Sequence, residues 1–236
     1  MREVCLSVKS LRRYTDDPVT VIATPPSVSV SWCRAMDELD VDVRHRAENL
    51  TEPFRIREGK REGRYGEKLR SLMEGEEDDV LFLDGDTKIN RDPAELFHGD
   101  WEFSARIAPG FLNMDVTVWR KVFEKEGAGM LPMFNTGAMA FRRGAAKKIG
   151  RQALDYFREG EQVFPHDINP QYLLDQFAVS LAVAKQDIVV HYMGKREHGF
   201  RWLHENPSDP VIYHGSARSP LHEVLRGVRG LCWYVS

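Results

Sequence analysis

Asp84 and Asp86 stand one residue apart, directly after the apolar run Val80-Leu81-Phe82-Leu83. Four apolar residues in a row read as a buried strand. Two like charges so close repel, and their position at the end of a buried strand calls for a cation between them. Hard oxygen ligands with room for water and phosphate oxygens suit Mg2+ or Mn2+. An ion of that kind on a diphosphate neutralises a departing nucleoside diphosphate, which is Lewis-acid catalysis of leaving-group departure. A solvated acidic turn is the competing reading, because Asp-x-Asp is a common pattern in a chain with 36 acidic residues.

The elements needed to hold such a site can be read on both sides of it. Val19–Ala23 and Val41–Val43 are strand candidates around a helix over Ser29–Leu39, where Trp32, Met36 and Leu39 recur at helical spacing. A basic, glycine-containing loop, Arg55–Arg64, precedes a helix over Tyr65–Met73 that feeds the Val80–Leu83 strand. Downstream, Pro93–Phe97 reads as a short helix and Trp101–Ile107 as a strand. A helix capped by Asp115 runs through Lys125, then a strand over Gly137–Phe141 and a helix over Ala145–Phe157. Asn169-Pro170 starts a further helix, and strands near Ile188–His191 and Pro210–Tyr213 complete the pattern. Alternating strands and helices predict one α/β domain with a mostly parallel central sheet. In such sheets ligands bind beyond the carboxyl ends of the strands, where Asp84 and Asp86 fall. Residues 1–15 fit a helix through Val4, Val8 and Leu11, or a strand through Val4, Leu6 and Val8; the helix is preferred because no turn signal interrupts it.

Composition narrows the function classes. A chain of 236 residues with 42% hydrophobic and 29% charged residues can bury a sizeable core as a single domain. A net charge of −3 gives no global basic field, so nucleic acid is not an expected partner. The longest apolar runs are too short to span a bilayer, and the N-terminus lacks the apolar core of a signal peptide. Cys5, Cys33 and Cys232 are odd in number and widely spaced, which argues against structural zinc or a disulfide framework. A reducing, cytoplasmic setting is the expectation.

Four segments resemble the nucleotide-sugar glycosyltransferases of GT-A fold, especially the glycogenin-like family 8. They are VLFLDGDTKINRDPAELF (80–97), FNTGAMAF (134–141), LDQF (174–177) and VIYHG (211–215), and they come in family order. The resemblance covers roughly residues 65–216 and implies a role for each matching position. Asp86 would ligate Mn2+ or Mg2+, Asp84 would share the ion and touch the ribose, and His214 would supply an imidazole ligand. Lys68 would approach the donor diphosphate or sugar, while Asn135, Thr136 and Gly137 would line the donor or acceptor sugar. Asp175 would hold donor hydroxyls, with Gln176 near the anomeric carbon. Arg218 would stand in for the family's diphosphate-binding lysine, with a planar fork in place of a point charge. A UDP-sugar donor, a carbohydrate, lipid or protein acceptor, and retention of anomeric configuration are implied with them. On this reading residues 1–92 form the nucleotide-binding part, 93–220 the acceptor and metal-completing part, and 221–236 a tail. The family's opening strand is expected to be missing, since this chain opens on a helix, so Thr24–Ser27 would have to build the base pocket.

Other readings stay open at this level. His191, also at a strand end, rivals His214 as the ligand, and Asn135-Thr-Gly could form a plain turn. Leu81–Thr87 also fits the nucleophile motif of haloacid-dehalogenase-like phosphatases, with Asp84 as nucleophile. That motif normally opens its domain, whereas here some eighty residues precede it. A non-catalytic nucleotide-sugar-binding protein would use the same metal motif. In the tail, Arg226 and Arg229 among Leu225, Leu231, Trp233 and Tyr234 allow a membrane-surface segment or a closing element packed on the domain.

Overall fold

The computed structural model describes residues 2–23, 29–45, 65–74, 78–113, 115–159, 163, 174–215 and 232–235. The basic loop 55–64, the Asn169-Pro170 helix start, residues 24–27 and Arg218 lie outside them. The chain opens on helix α1 (Arg2–Leu11), which buries Val4, Val8 and Leu11 along one stripe, as the helical reading requires. Strands β1 (Val19–Ala23) and β2 (Val41–His45) pair in parallel around helix α2 (Val30–Asp37), whose N-cap Ser29 accepts from the Trp32 amide. Helix α3 (Tyr65–Ser71) leads into β3 (Val80–Asp84), and β4 (Thr87–Ile89) follows two residues later. Next come β5 (Phe103–Ile107), α4 (Val116–Lys125), β6 (Phe134–Phe141), α5 (Ala145–Glu159) and α6 (Leu174–Lys185). The short strands β7 (Val190–Tyr192), β8 (His198–Phe200) and β9 (Ile212–His214) precede the C-terminal β10 (Cys232–Val235).

Seven strands form one sheet in the order β2-β1-β10-β3-β6-β5-β7. Five run in one direction, and β6 and β10 run against them. Alternation along the strands divides the core in two. Val80 and Phe82 of β3, with Met139 and Phe141 of β6, face the α3, α4, α5 and α6 layer. Leu81 and Leu83, with Ala138 and Ala140, face α1 and α2. This two-sided burial explains why β3 reads as an unbroken apolar run. Helix α6 is apolar all round and lies buried between α5 and the sheet, with Phe177, Ala178, Leu181 and Ala182 at 1% exposure or less.

Two alternatives that the sequence left open are decided. Asn135, Thr136 and Gly137 are not a turn but part of β6, which begins at Phe134 and is buried along its whole length. Local turn preference loses there to burial on both faces and to the hydrogen bond from the Phe134 amide to Ser180 Oγ at 2.9 Å. The tail's Cys232–Val235 is a central strand, antiparallel to both β1 and β3, so this part of the tail is not a free membrane-surface segment. Among the described residues no helix is long and apolar enough to cross a membrane.

A second sheet, in the order β4-β9-β8, stands beyond the carboxyl end of β3. Its contact with α1 fixes the acidic turn. The Thr87 hydroxyl donates to the Asp84 carbonyl at 2.9 Å, the Ser7 hydroxyl meets Thr87 Oγ1 at 2.9 Å, and the Ile89 amide donates to Ser10 Oγ at 2.9 Å. Farther along, Arg106 of β5 grips Glu205 with two bonds of 2.6 Å, and the Phe200 amide donates to the same carboxylate at 2.7 Å. These bonds, led by the one from Arg106, hold the Glu205 carboxyl below its ordinary range. A depressed acid contributes stability above its unfolded pKa and loses it as pH falls through its lower folded pKa. Glu205→Gln should therefore cost about 1–3 kcal/mol at neutral pH, the usual range for bonds to a charged group. The gap to wild type should close in the acid range. Urea unfolding at pH 7 and below pH 4.5 checks this; a gap that widens on acidification contradicts it.

Candidate metal and donor site

Register brings the ligand candidates together. β3 ends at Asp84, and the Thr87↔His214 pairing between β4 and β9 sets the histidine beside the acidic turn. The Gly215 amide closes the arrangement by donating to the Asp86 carbonyl at 2.9 Å. His214 Nε2 lies 3.2 Å from Asp86 Oδ1 and 3.9 Å from Asp84 Oδ2. One donor atom from each of the three residues falls within 4.8 Å of the others. Metal–oxygen bonds of about 2.1 Å put adjacent ligands about 3.0 Å apart around an octahedral ion. Two carboxylates and one imidazole at this spacing fit a divalent cation of the Mg2+ or Mn2+ type. His191, the rival ligand, is instead paired with Glu197 at 2.7 Å.

The histidine is held on several sides. Its ring stacks on His198 at 5.6 Å and meets the edge of Trp202 at 4.9 Å, with Phe200 at 6.1 Å. Burial, then His214 and Arg106, depresses the His198 pKa well below the ordinary value, so that ring is neutral. On the remaining side is Gly137. A Cβ placed there would fall 1.9 Å from His214 Cε1 and 2.4 Å from Nδ1, so only glycine leaves room for the imidazole.

Beneath the candidate ligands lies a largely buried ion-pair network. Lys68 of α3 is 6% exposed, and its Nζ reaches Asp84 Oδ1 at 2.9 Å and Asp175 Oδ2 at 3.1 Å. It also donates to the Thr136 carbonyl at 3.4 Å and to Thr136 Oγ1 at 3.3 Å. The Thr136 hydroxyl in turn donates to Asp175 Oδ2. Burial raises the Asp84 pKa; Lys68 and then His214 oppose that rise, and Asp86 adds to it. Asp84 is thus a desolvated carboxylate that one ammonium only partly compensates, a setting that favours a further cation.

Asp175 Oδ1 and Gln176 Oε1 are buried and have no hydrogen-bond partner among the described residues. Ser180 ties Gln176 to the start of β6, donating to the Gln176 carbonyl at 2.7 Å while accepting from the Phe134 amide. Gln176 and Asn135 line a cavity of about 980 Å3 whose lining includes none of Lys68, Asp84, Thr136 and Asp175. The Asn135 side chain accepts from the Gly137 amide at 3.0 Å. The structure therefore brings Lys68, Asp84, Asp86, Thr136, Gly137, Asp175 and His214 into one contiguous group and sets Asn135 and Gln176 at its edge. His198, Trp202 and the Arg106–Glu205 pair escaped sequence reading, since β8 and the turn after it are too short to show a period.

Neither protein-family models nor the sequences of curated proteins give a match. Solved structures do. The galactosyltransferase LgtC, in complex with donor and acceptor sugar analogues, matches with a TM-score of 0.59 at 16% identity, over 90% of this chain and 82% of its own. Mouse xyloside xylosyltransferase 1 matches with a TM-score of 0.53 at 15% identity, over 93% of both chains. The glycosyltransferase GlyE of Streptococcus pneumoniae TIGR4 gives 0.52 at 18% identity, over 93% of this chain and 52% of its own. Likeness at such low identity is likeness of fold.

Proposed function

On the GT-A fold that this chain adopts, we propose a divalent-metal-dependent glycosyltransferase that moves a sugar from a nucleoside-diphosphate donor, a UDP-sugar, to an acceptor hydroxyl. One observation carries the reading: Asp84 at the end of β3, Asp86 in the turn that follows and His214 of the second sheet converge with ligand spacing. A bound Mn2+ or Mg2+ would supply Lewis-acid charge neutralisation at the diphosphate. The protein's own groups do the rest. Lys68 holds the Asp84 and Asp175 carboxylates in place. Asp175 Oδ1, without a partner among the described residues, is available to a donor hydroxyl, and Gln176 Oε1 to a polar hydrogen near the reacting carbon.

The acceptor oxygen bonds to the anomeric carbon while the bond from that carbon to the diphosphate breaks. The electron pair departs with the diphosphate, and the hydroxyl proton passes to it or to water. The resemblance to family 8 supports a retaining course, in which the leaving diphosphate can take that proton. A phosphatase with Asp84 as nucleophile would be expected to open its domain on the motif strand, whereas here β1 and β2 precede β3.

Asp86→Ala should abolish Mn2+-dependent UDP binding and leave the fold intact, while Asp86→Asn, which keeps an oxygen, should retain part of it. Calorimetry with and without Mn2+ decides the matter. UDP bound equally tightly in both conditions by the wild type would sink the metal assignment.

A further inference from the structure

The cavity beside Gln176 has a chemical character that the donor site does not explain. Four of the ten exposed large hydrophobic side chains among the described residues line it: Ile107, Tyr192, Trp202 and Leu203, each 37–46% exposed. Converging exposed apolar side chains on a cavity wall mark a binding surface. Two are fixed from behind, Tyr192 by stacking on Phe134 at 5.7 Å and Trp202 by stacking on Phe200 at 4.8 Å. The wall is therefore organised before any ligand arrives. Its charged members are Arg106, already gripped by Glu205 at 2.6 Å, and the exposed Lys195. Polar groups that could serve a sugar are concentrated at the inner end, at Asn135 and Gln176. Trp202 links the two ends, since its indole meets both the apolar wall and the edge of His214.

We propose that this cavity takes an acceptor glycoside carrying an apolar aglycone, with its reactive hydroxyl at Gln176 and Asn135 and its aryl or alkyl group against Ile107, Tyr192, Trp202 and Leu203. A free oligosaccharide would cover these side chains only with the C–H faces of its rings, keeping its hydroxyls toward water. An aglycone instead removes the wall from water, and a few buried methylenes at roughly 0.8 kcal/mol each suffice for a tenfold gain. The inference rests on the transferase reading only in naming the ligand an acceptor; the reaction is the one described above.

The test is calorimetric and needs no turnover. Methyl, phenyl and octyl glycosides of glucose, galactose and xylose are titrated, below micellar concentrations, into the full chain with Mn2+ and UDP. For at least one sugar the phenyl or octyl glycoside should bind ten or more times tighter than its methyl counterpart. A phenyl preference marks an aryl aglycone and an octyl preference an alkyl one. Leu203→Ser and Tyr192→Ser should bring that ratio below about two, with melting temperatures showing that both variants fold. Equal affinities, no binding by any phenyl or octyl glycoside, or a ratio that survives both substitutions overturns the proposal. Failure of the transferase reading appears separately, as an absence of both Mn2+-dependent UDP binding and UDP-sugar hydrolysis.

Discussion

Gly137→Ala is expected to lower Mn2+-dependent UDP affinity at least 100-fold, although it adds one methyl group to a buried strand. The added carbon would lie 1.9 Å from Cε1, 2.4 Å from Nδ1 and 2.7 Å from Nε2 of His214, so the imidazole must leave. It has no easy exit, with Trp202, His198 and Phe200 packed around it. Overpacking of this kind costs about 1–3 kcal/mol in a well-packed core. The cost should be specific to the pair, because the three nearest atoms to the new carbon all belong to His214. In a His214→Ala background the same Gly137→Ala change should be nearly free, giving a coupling energy of about 1–3 kcal/mol in a double-mutant cycle. Calorimetry for UDP with Mn2+ and urea unfolding of the four proteins provide both readings. Additive stability effects together with an intact metal response would mean that His214 sits elsewhere in solution.

This dependence shows what the sequence could and could not announce. The apolar run before Asp84 and Asp86 marked the site because β3 is buried on both faces, a condition that one strand's composition records. Helices α2 and α4 were equally legible, from the helical spacing of Trp32, Met36 and Leu39 and from the cap Asp115. For Lys68, by contrast, only the family resemblance points toward the donor, and its contacts with Asp84, Thr136 and Asp175 reach to β3, β6 and α6. Nothing local to α3 encodes that meeting. The three-residue strands β4 and β8 are too short for a period-2 signal, and the pairing of Thr87 with His214 joins residues more than a hundred positions apart. The central place of Cys232–Val235 was hidden for the same reason, since its neighbours in the sheet are the distant β1 and β3. Motif order along the chain suggested the ligands, but non-local register assembles them.

The second large effect is expected on stability, not on binding. Lys68→Met keeps a long apolar stem and removes the ammonium that separates Asp84 from Asp175. The Asp175 contact is buried and the Asp84 contact part-buried, with side-chain exposures of 7% for Lys68, 2% for Asp175 and 24% for Asp84. Removing one partner of a buried ion pair leaves the other uncompensated and typically costs about 3–5 kcal/mol. The cost should depend on pH in a defined direction. Asp84 is already raised by burial, and Lys68 is the largest influence opposing that rise, so its loss raises the carboxyl further. A carboxyl with a folded pKa above its unfolded value destabilises the fold when ionised and ceases to do so as pH falls through the folded pKa. The deficit of Lys68→Met should accordingly be greatest at neutral pH and shrink on mild acidification, as Asp84 takes up a proton. Added Mn2+ should narrow it at neutral pH as well, by placing positive charge beside the same carboxylate. Urea unfolding of both proteins at pH 5 and pH 7, in chelator and in Mn2+, measures each difference. A deficit under about 1 kcal/mol, typical of an exposed ion pair, would place Lys68 on a solvated surface instead of beneath the metal ligands.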